Sequence, residues 1–204
     1  MTEKPHLSVV PSAPTDSDGR RARSERSRQQ IVDAMFSLIA GGNMDPSAAS
    51  LAEEANVGLR TVFRHFEDMD GLYRELTERL EAEILPIVMT PWASVDWRDR
   101  LTELINRRAG IYERIMLFKV AANLRRFQSE WLMAAYKRFL TIERSGLSGI
   151  LPEQVRTDAD LFAALEMLTA FQTWRRMRQD QGLSAADAER VLHRTAEALI
   201  AGQP

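Results

Sequence analysis

Residues 45–76 read DPSAASLAEEANVGLRTVFRHFEDMDGLYREL, and this stretch decides the fold. Asp45-Pro46-Ser47 opens a helix in one of two ways: Asp45 caps it with Pro46 in the first turn, or Ser47 caps it. The helix carries Leu51, Ala52 and Ala55 on one side and stops at Asn56-Val57-Gly58. Asn and Gly are the residues that best tolerate a left-handed or irregular backbone, so these three form a break. A second short helix starts near Leu59 and turns Val62 and Phe66, four apart, toward Leu51, Ala55 and Val57. Upstream, Ile31, Ala34, Met35, Leu38 and Ile39 form one apolar stripe at helical period, closed by Gly41-Gly42. Two short helices across a tight turn behind a longer one predict a tri-helical helix-turn-helix unit centred on residues 47–66.

Working outward, residues 1–19 are rich in Pro, Ser and Asp without apolar period and read as a disordered tail. Residues 20–28, RRARSERSR, hold five Arg against one Glu, a net of +4. They read either as a solvated run leading into a helix or as a flexible basic arm on phosphates or in a minor groove. Downstream, a fourth helix is predicted from Asp68–Asp70 through Leu72, Leu76 and Leu80, stopping before Pro86. A long helix follows, capped by Ser94 or Asp96. Further helices are predicted over 128–144 and 157–180, and a last one is capped by Ser184. No alternating strand pattern interrupts them, so the fold class is all-α. The division is a tail over 1–19, a DNA-binding unit over 20–76, and a helical domain over 77–204.

Composition narrows the function. The chain has 204 residues, no Cys and a net charge of −2. No run approaches the ~18–20 apolar residues that cross a bilayer, and the N-terminus lacks the basic-then-apolar form of a secretory signal. A cytoplasmic protein without membrane association is expected. The three histidines, His6, His65 and His193, share no motif. Glu189 and His193 lie four apart on a helix, but one such pair builds neither a zinc nor a di-iron site. With no Gly-rich phosphate loop and no nucleophile elbow, neither an enzyme nor a metal or cofactor is expected.

The stretch SLAEEANVGLRTVFRHFEDMDGLYREL resembles the TetR family of transcriptional repressors, locally but densely over residues 25–76. Against the family pattern it supplies Leu51-Ala52, Asn56-Val57, Thr61-Val62-Phe63-Arg64-His65-Phe66 and Leu72. The resemblance implies three DNA-binding helices followed by a regulatory domain that forms a homodimer through residues 157–201. It also implies an apolar small-molecule effector that releases a palindromic double-stranded operator. An effector-independent DNA-binding protein of the same fold is the alternative.

Residue choice agrees with that implication. With Val62 and Phe66 inward, Arg60, Thr61, Arg64 and His65 fall on or near the outer surface. Arg60, in the first turn, is placed to pair with a guanine edge, and Thr61 with a thymine methyl or a phosphate. His65 stands where the family has a phosphate-contacting His. Ser47 sits at a helix N-terminus that favours a phosphate. Phe63, read first as a core residue beside Val62 and Phe66 and also as a DNA-backbone contact, replaces the family's Tyr, whose phosphate-bonding hydroxyl is lost. Met69 replaces its Lys, and Ala48-Ala49 follow Ser47. Residues 44–76 hold three Arg against seven acids, a net of −4. The Arg20–Arg28 arm, Arg23 and Arg26 in particular, is therefore expected to supply the missing phosphate contacts. In the second half, aromatic and Met stripes read first as core. The resemblance implies that Tyr112, Met116, Trp131, Tyr136, Phe162, Phe171 and Trp174 line the effector pocket, near polar Asn123, Gln128 and Gln172.

Overall fold

The computed structural model describes residues 16–203, with side chains from Gly19 onward. Among them the chain is all helical: α1 (Asp16–Ala40), α2 (Ala48–Glu54), α3 (Leu59–His65), α4 (Met69–Val88), α5 (Trp97–Arg125), α6 (Glu130–Ser148), α7 (Glu153–Thr157), α8 (Ala159–Thr169), α9 (Phe171–Arg175) and α10 (Ala185–Ile200). A π-helical turn, Arg176–Asp180, continues α9.

The predicted stops are physical ones. α1 ends with Gly42 at φ 94°, its N–H bonded to the Ile39 carbonyl at 3.0 Å, while Asn43 N reaches back to Leu38 at 2.9 Å. α2 ends in the same two-bond closure. Asn56 takes the left-handed position at φ 51°, Asn56 N bonds Glu53 O at 3.0 Å, and Val57 N bonds Ala52 O at 2.9 Å. Each closure satisfies carbonyls that the helix end would leave without partners. Of the two caps open for α2, Ser47 is the one used: its hydroxyl accepts from Ser50 N at 3.1 Å. Asp96 caps α5. Ser184 caps α10, accepting from Asp187 N at 3.1 Å.

Three expectations are corrected. The Arg-rich segment is not a flexible arm. α1 begins at Asp16 and runs through it without a break, because Arg is a good helix former and no Gly or Pro separates residues 20 and 40. The predicted tail is thus helical over 16–19, and residues 1–15 lie outside the described residues. α4 does not stop before Pro86 but ends at Val88. Pro86 falls in the last turn, where its missing N–H costs one bond. Its carbonyl is taken by Thr90 Oγ1 at 2.8 Å, and Met89 N still bonds Leu85 O at 2.9 Å. α4 also runs through the expected division at residues 76 and 77.

The third correction is the largest. Residues 157–180 do not form one helix, because Ala170, at ψ 152°, breaks α8 from α9. The backbone groups that a continuous helix would pair internally are met by side chains of α5 and α6. Buried Arg108 donates through Nη1 to the Thr169 carbonyl (3.0 Å) and to Thr169 Oγ1 (2.6 Å), and through Nη2 to the Glu143 carbonyl. Phe171 N–H donates to Glu143 Oε1 at 2.9 Å. The Tyr112 hydroxyl lies 2.5 Å from Glu143 Oε1 and 3.0 Å from the Thr169 carbonyl, two acceptors for its single proton. Burial pushes the Tyr112 phenol well above its ordinary value, so it remains a donor.

Glu143→Ala strands the Phe171 amide and leaves the Tyr112 hydroxyl with the Thr169 carbonyl alone, while the Glu143 carbonyl that Arg108 uses remains. It should lower unfolding free energy by about 3 kcal/mol. Glu143→Gln, which keeps an acceptor oxygen, should lose about half as much. Urea unfolding checks this, with the midpoint falling at unchanged m.

Candidate nucleic-acid interface

The tri-helical unit is built on a core of Ile31, Met35, Leu51, Ala55, Val62 and Phe66, all buried. Fixing Val62 and Phe66 inward decides what α3 presents outward. Arg60 and Arg64 are exposed and Thr61 is half-buried. Phe63 is corrected from a core residue to an outward one: it is 56 % exposed, alongside Leu59 at 46 %. Position 63 lies about 100° round the helix from Val62 and four residues on from Leu59, so it belongs to the outer face. The outer face of α3 is therefore an arginine pair flanking an exposed aromatic ring, with exposed Ser47 at the start of α2.

His65 behaves differently from its expected role. It is half-buried, and its Nε2 is enclosed without a hydrogen-bond partner. Burial, then the Arg64 and Arg28 guanidinium groups, lower its pKa from the ordinary 6.5, so the ring is neutral at neutral pH. Its backbone carbonyl is used instead, accepting from Arg28 Nη1 at 3.0 Å.

Arg28 was one of five arginines in the presumed arm, and sequence reasoning gave it no separate role. Its guanidinium also pairs with Glu75 at 2.5 Å and lies 4.6 Å from the centre of the Phe66 ring. It therefore clamps α1 to the end of α3 and to α4. Arg23 and Arg26, five and two residues before it, are exposed, with Arg26 Nε on the Ala22 carbonyl at 3.3 Å. These two arginines and the α3 residues occupy one unit of the fold. The described side chains place Met69 half-buried against the core.

Two contacts fasten this unit to the turn between α5 and α6. Arg125, in the last turn of α5, pairs with Asp45 at 2.6 Å, just before α2. The Ser129 hydroxyl, which caps α6, donates to Asp70 Oδ2 at 2.6 Å in the first turn of α4. Neither partner pair has a local sequence signature, since they lie 80 and 59 residues apart.

Most of the residues expected to line an effector pocket lie in or against the core. Tyr112, Phe162, Phe171 and Trp174 are buried core residues. Tyr112 and Phe171 meet edge to face at 5.5 Å, and Trp174 Nε1 donates to Glu113 Oε1 at 2.8 Å. Met116 and Trp131 pack half-buried against that core. A cavity of about 70 Å³ does lie between α4, α5 and α6, and of the seven expected residues only Tyr136 lines it, together with Asn123. His193 lies 4.0 Å from Glu189, and its Nε2 is 2.7 Å from Asn106 Oδ1, a contact between α10 and α5. Among the described residues no helix is long and apolar enough to cross a membrane.

An NMR titration of the His65 ring should give a midpoint below 6.5. A midpoint at or above that value would show the ring turned outward, toward solvent or an anion. No protein-family model matches the sequence, and no curated protein matches it. The fold is similar to that of a transcriptional regulator from Rhodococcus sp. Rha1, with a TM-score of 0.62 and 18 % identity over 88 % of this chain and 96 % of that one.

Proposed function

We propose that this chain is a DNA-binding transcriptional regulator of the TetR type, acting in the cytoplasm as a homodimeric repressor. A small-molecule effector releases it from a palindromic double-stranded operator. The observation that carries this reading is the outer face of α3: Arg60, Phe63 and Arg64 exposed on a helix held rigidly by a buried tri-helical core. The helix has no packing reason to expose a phenylalanine. A flat apolar ring between two guanidinium groups suits the sugar edge and thymine methyls of a major groove. The likeness of fold to the Rhodococcus regulator supports the same reading.

In this mechanism Arg60 reads a base edge and Thr61 a methyl or phosphate. Ser47 and its helix N-terminus meet a phosphate, and Arg23 and Arg26 add charge from α1. The homodimer forms through residues 157–201, where Met167 on α8 is 69 % exposed and Val191 on α10 is exposed too. A two-fold axis then sets two copies of α3 in successive major grooves, roughly 34 Å apart. Effector binding between α4, α5 and α6 reaches DNA through Arg125–Asp45 and Ser129–Asp70. A shift in the α5–α6 turn pulls on the starts of α2 and α4 together.

Selection of bound duplexes from a random library should recover an inverted repeat, and an unstructured or asymmetric consensus would overturn the reading. On the recovered operator, Arg60→Ala should cost about 1–3 kcal/mol and relax preference at one base pair per half-site. Replacing both Arg23 and Arg26 with Ala should weaken all sequences alike. It should also reduce the salt slope by about two per protomer, measured by fluorescence anisotropy across a salt series.

A further inference from the structure

The cavity between α4, α5 and α6 is walled mainly by apolar side chains, among them Leu80, Ile84, Ile115, Phe118 and Leu132. Two cations line it, Arg138 of α6 and Lys119 of α5, the latter a lysine in a chain whose other basic residues are nearly all Arg. Its ammonium sits 3.7 Å from the centre of the Phe139 ring. Among the described residues it makes no ion pair. The other charges at the wall cancel, since Arg138 of α6 pairs with Glu81 of α4 at 3.4 Å and both are about half exposed. Glu143, the nearest buried carboxylate in this part of α6, is already engaged by Tyr112 and by the Phe171 amide.

We propose that this cavity binds a compact organic monoanion, a carboxylate on a short apolar body, with the carboxylate on Lys119 and the hydrocarbon against Leu80, Ile115 and Phe118. This deepens, and rests on, the effector-released regulator argued above. The charge count selects the ligand: around Lys119, Glu81 and Glu143 offset Arg126 and Arg138 in number, so the ammonium leaves the site at +1, which a monoanion neutralises. A neutral molecule leaves a sequestered ammonium with only a ring face, and an amine meets like charge. Size selects it further. A space of about 70 Å³ is about half the ~150 Å³ of a cavity that takes benzene, so it fits an acid of two to four carbons and not a ring. Asn123 and Tyr136 stand in the same wall to orient the second oxygen. Burial pulls Lys119 down to about 8, so it is still cationic at neutral pH and can receive the anion.

Calorimetry and thermal shift on the full chain without DNA test the site. The probes are acetate, propionate and butyrate, set against 1-propanol, 1-butanol and butylamine. At least one acid should bind, with its neutral and cationic counterparts at least about tenfold weaker. Lys119→Met should abolish that preference and Lys119→Arg should keep it, so a loss through misfolding is distinguished from a loss of charge. Affinity should fall between about pH 7 and about pH 9 as Lys119 loses its proton. Glu81, Glu143, Arg126 and Arg138 are the charged groups facing it, from α4, α6 and the end of α5. Equal binding of acid and alcohol, no acid binding at millimolar concentration, or an acid preference that survives Lys119→Met would overturn the proposal. Because these readings need no operator, failure of the site and failure of DNA recognition are separate results. An acid that binds but leaves the operator occupied would sink the effector role and leave the site.

Discussion

A guanidinium buried in a helical core demands acceptors, and helices have few carbonyls to give except at their ends. Arg108 resolves this by sitting where one helix has been interrupted. Its fork takes the last carbonyl of α8 and a carbonyl of α6, while Glu143 serves the first amide of α9. The interruption and the buried charge each remove the other's penalty. α5, α6, α8 and α9 thus meet at a polar centre surrounded by Phe171, Leu147 and Leu165, all essentially without solvent contact. The remaining packing of the second half is arranged around that fixed point.

α4 joins the two halves because it belongs to both. Its first turns carry Leu72, Tyr73 and Leu76 into the core, and its later turns contribute Leu80 and Ile84 to the cavity wall. A helix cannot bend locally at little cost without a Pro, a bulge or an inserted group, and Pro86 lies beyond both regions. Movement at the cavity therefore reaches the tri-helical unit as rigid rotation. The Arg125–Asp45 and Ser129–Asp70 contacts give the same movement a second, parallel attachment.

What was legible in the sequence was local. The left-handed Asn56, the Gly42 closure, the Ser184 cap and the Val62–Phe66 pair follow from residue chemistry within one or two turns. What was not legible depended on residues far apart in the chain. Nothing between 157 and 180 marks Ala170 as a break, because the cause is Arg108 and Glu143. The Arg28 clamp hid inside a run of arginines that all look alike on paper. Periodicity told that Tyr112, Phe171 and Trp174 face inward but not what they face, so core residues were taken for pocket residues. Phe63 was misplaced for the opposite reason: hydrophobicity was read where helix angle decides.

If the chain binds DNA as proposed above, the unbroken course of α1 through its arginines changes how it measures that DNA. A helix with its side chains is about 10–12 Å across and a minor groove about 6 Å wide, so the backbone of this segment stays outside while it is helical. Only guanidinium tips can reach in. Residues 16–28 are also a rod of roughly 20 Å at the helical rise. A flexible tail would blur the outer limits of the protected DNA. A rod clamped by Arg28 at its inner end fixes them, so the length of the footprint becomes a property of the fold.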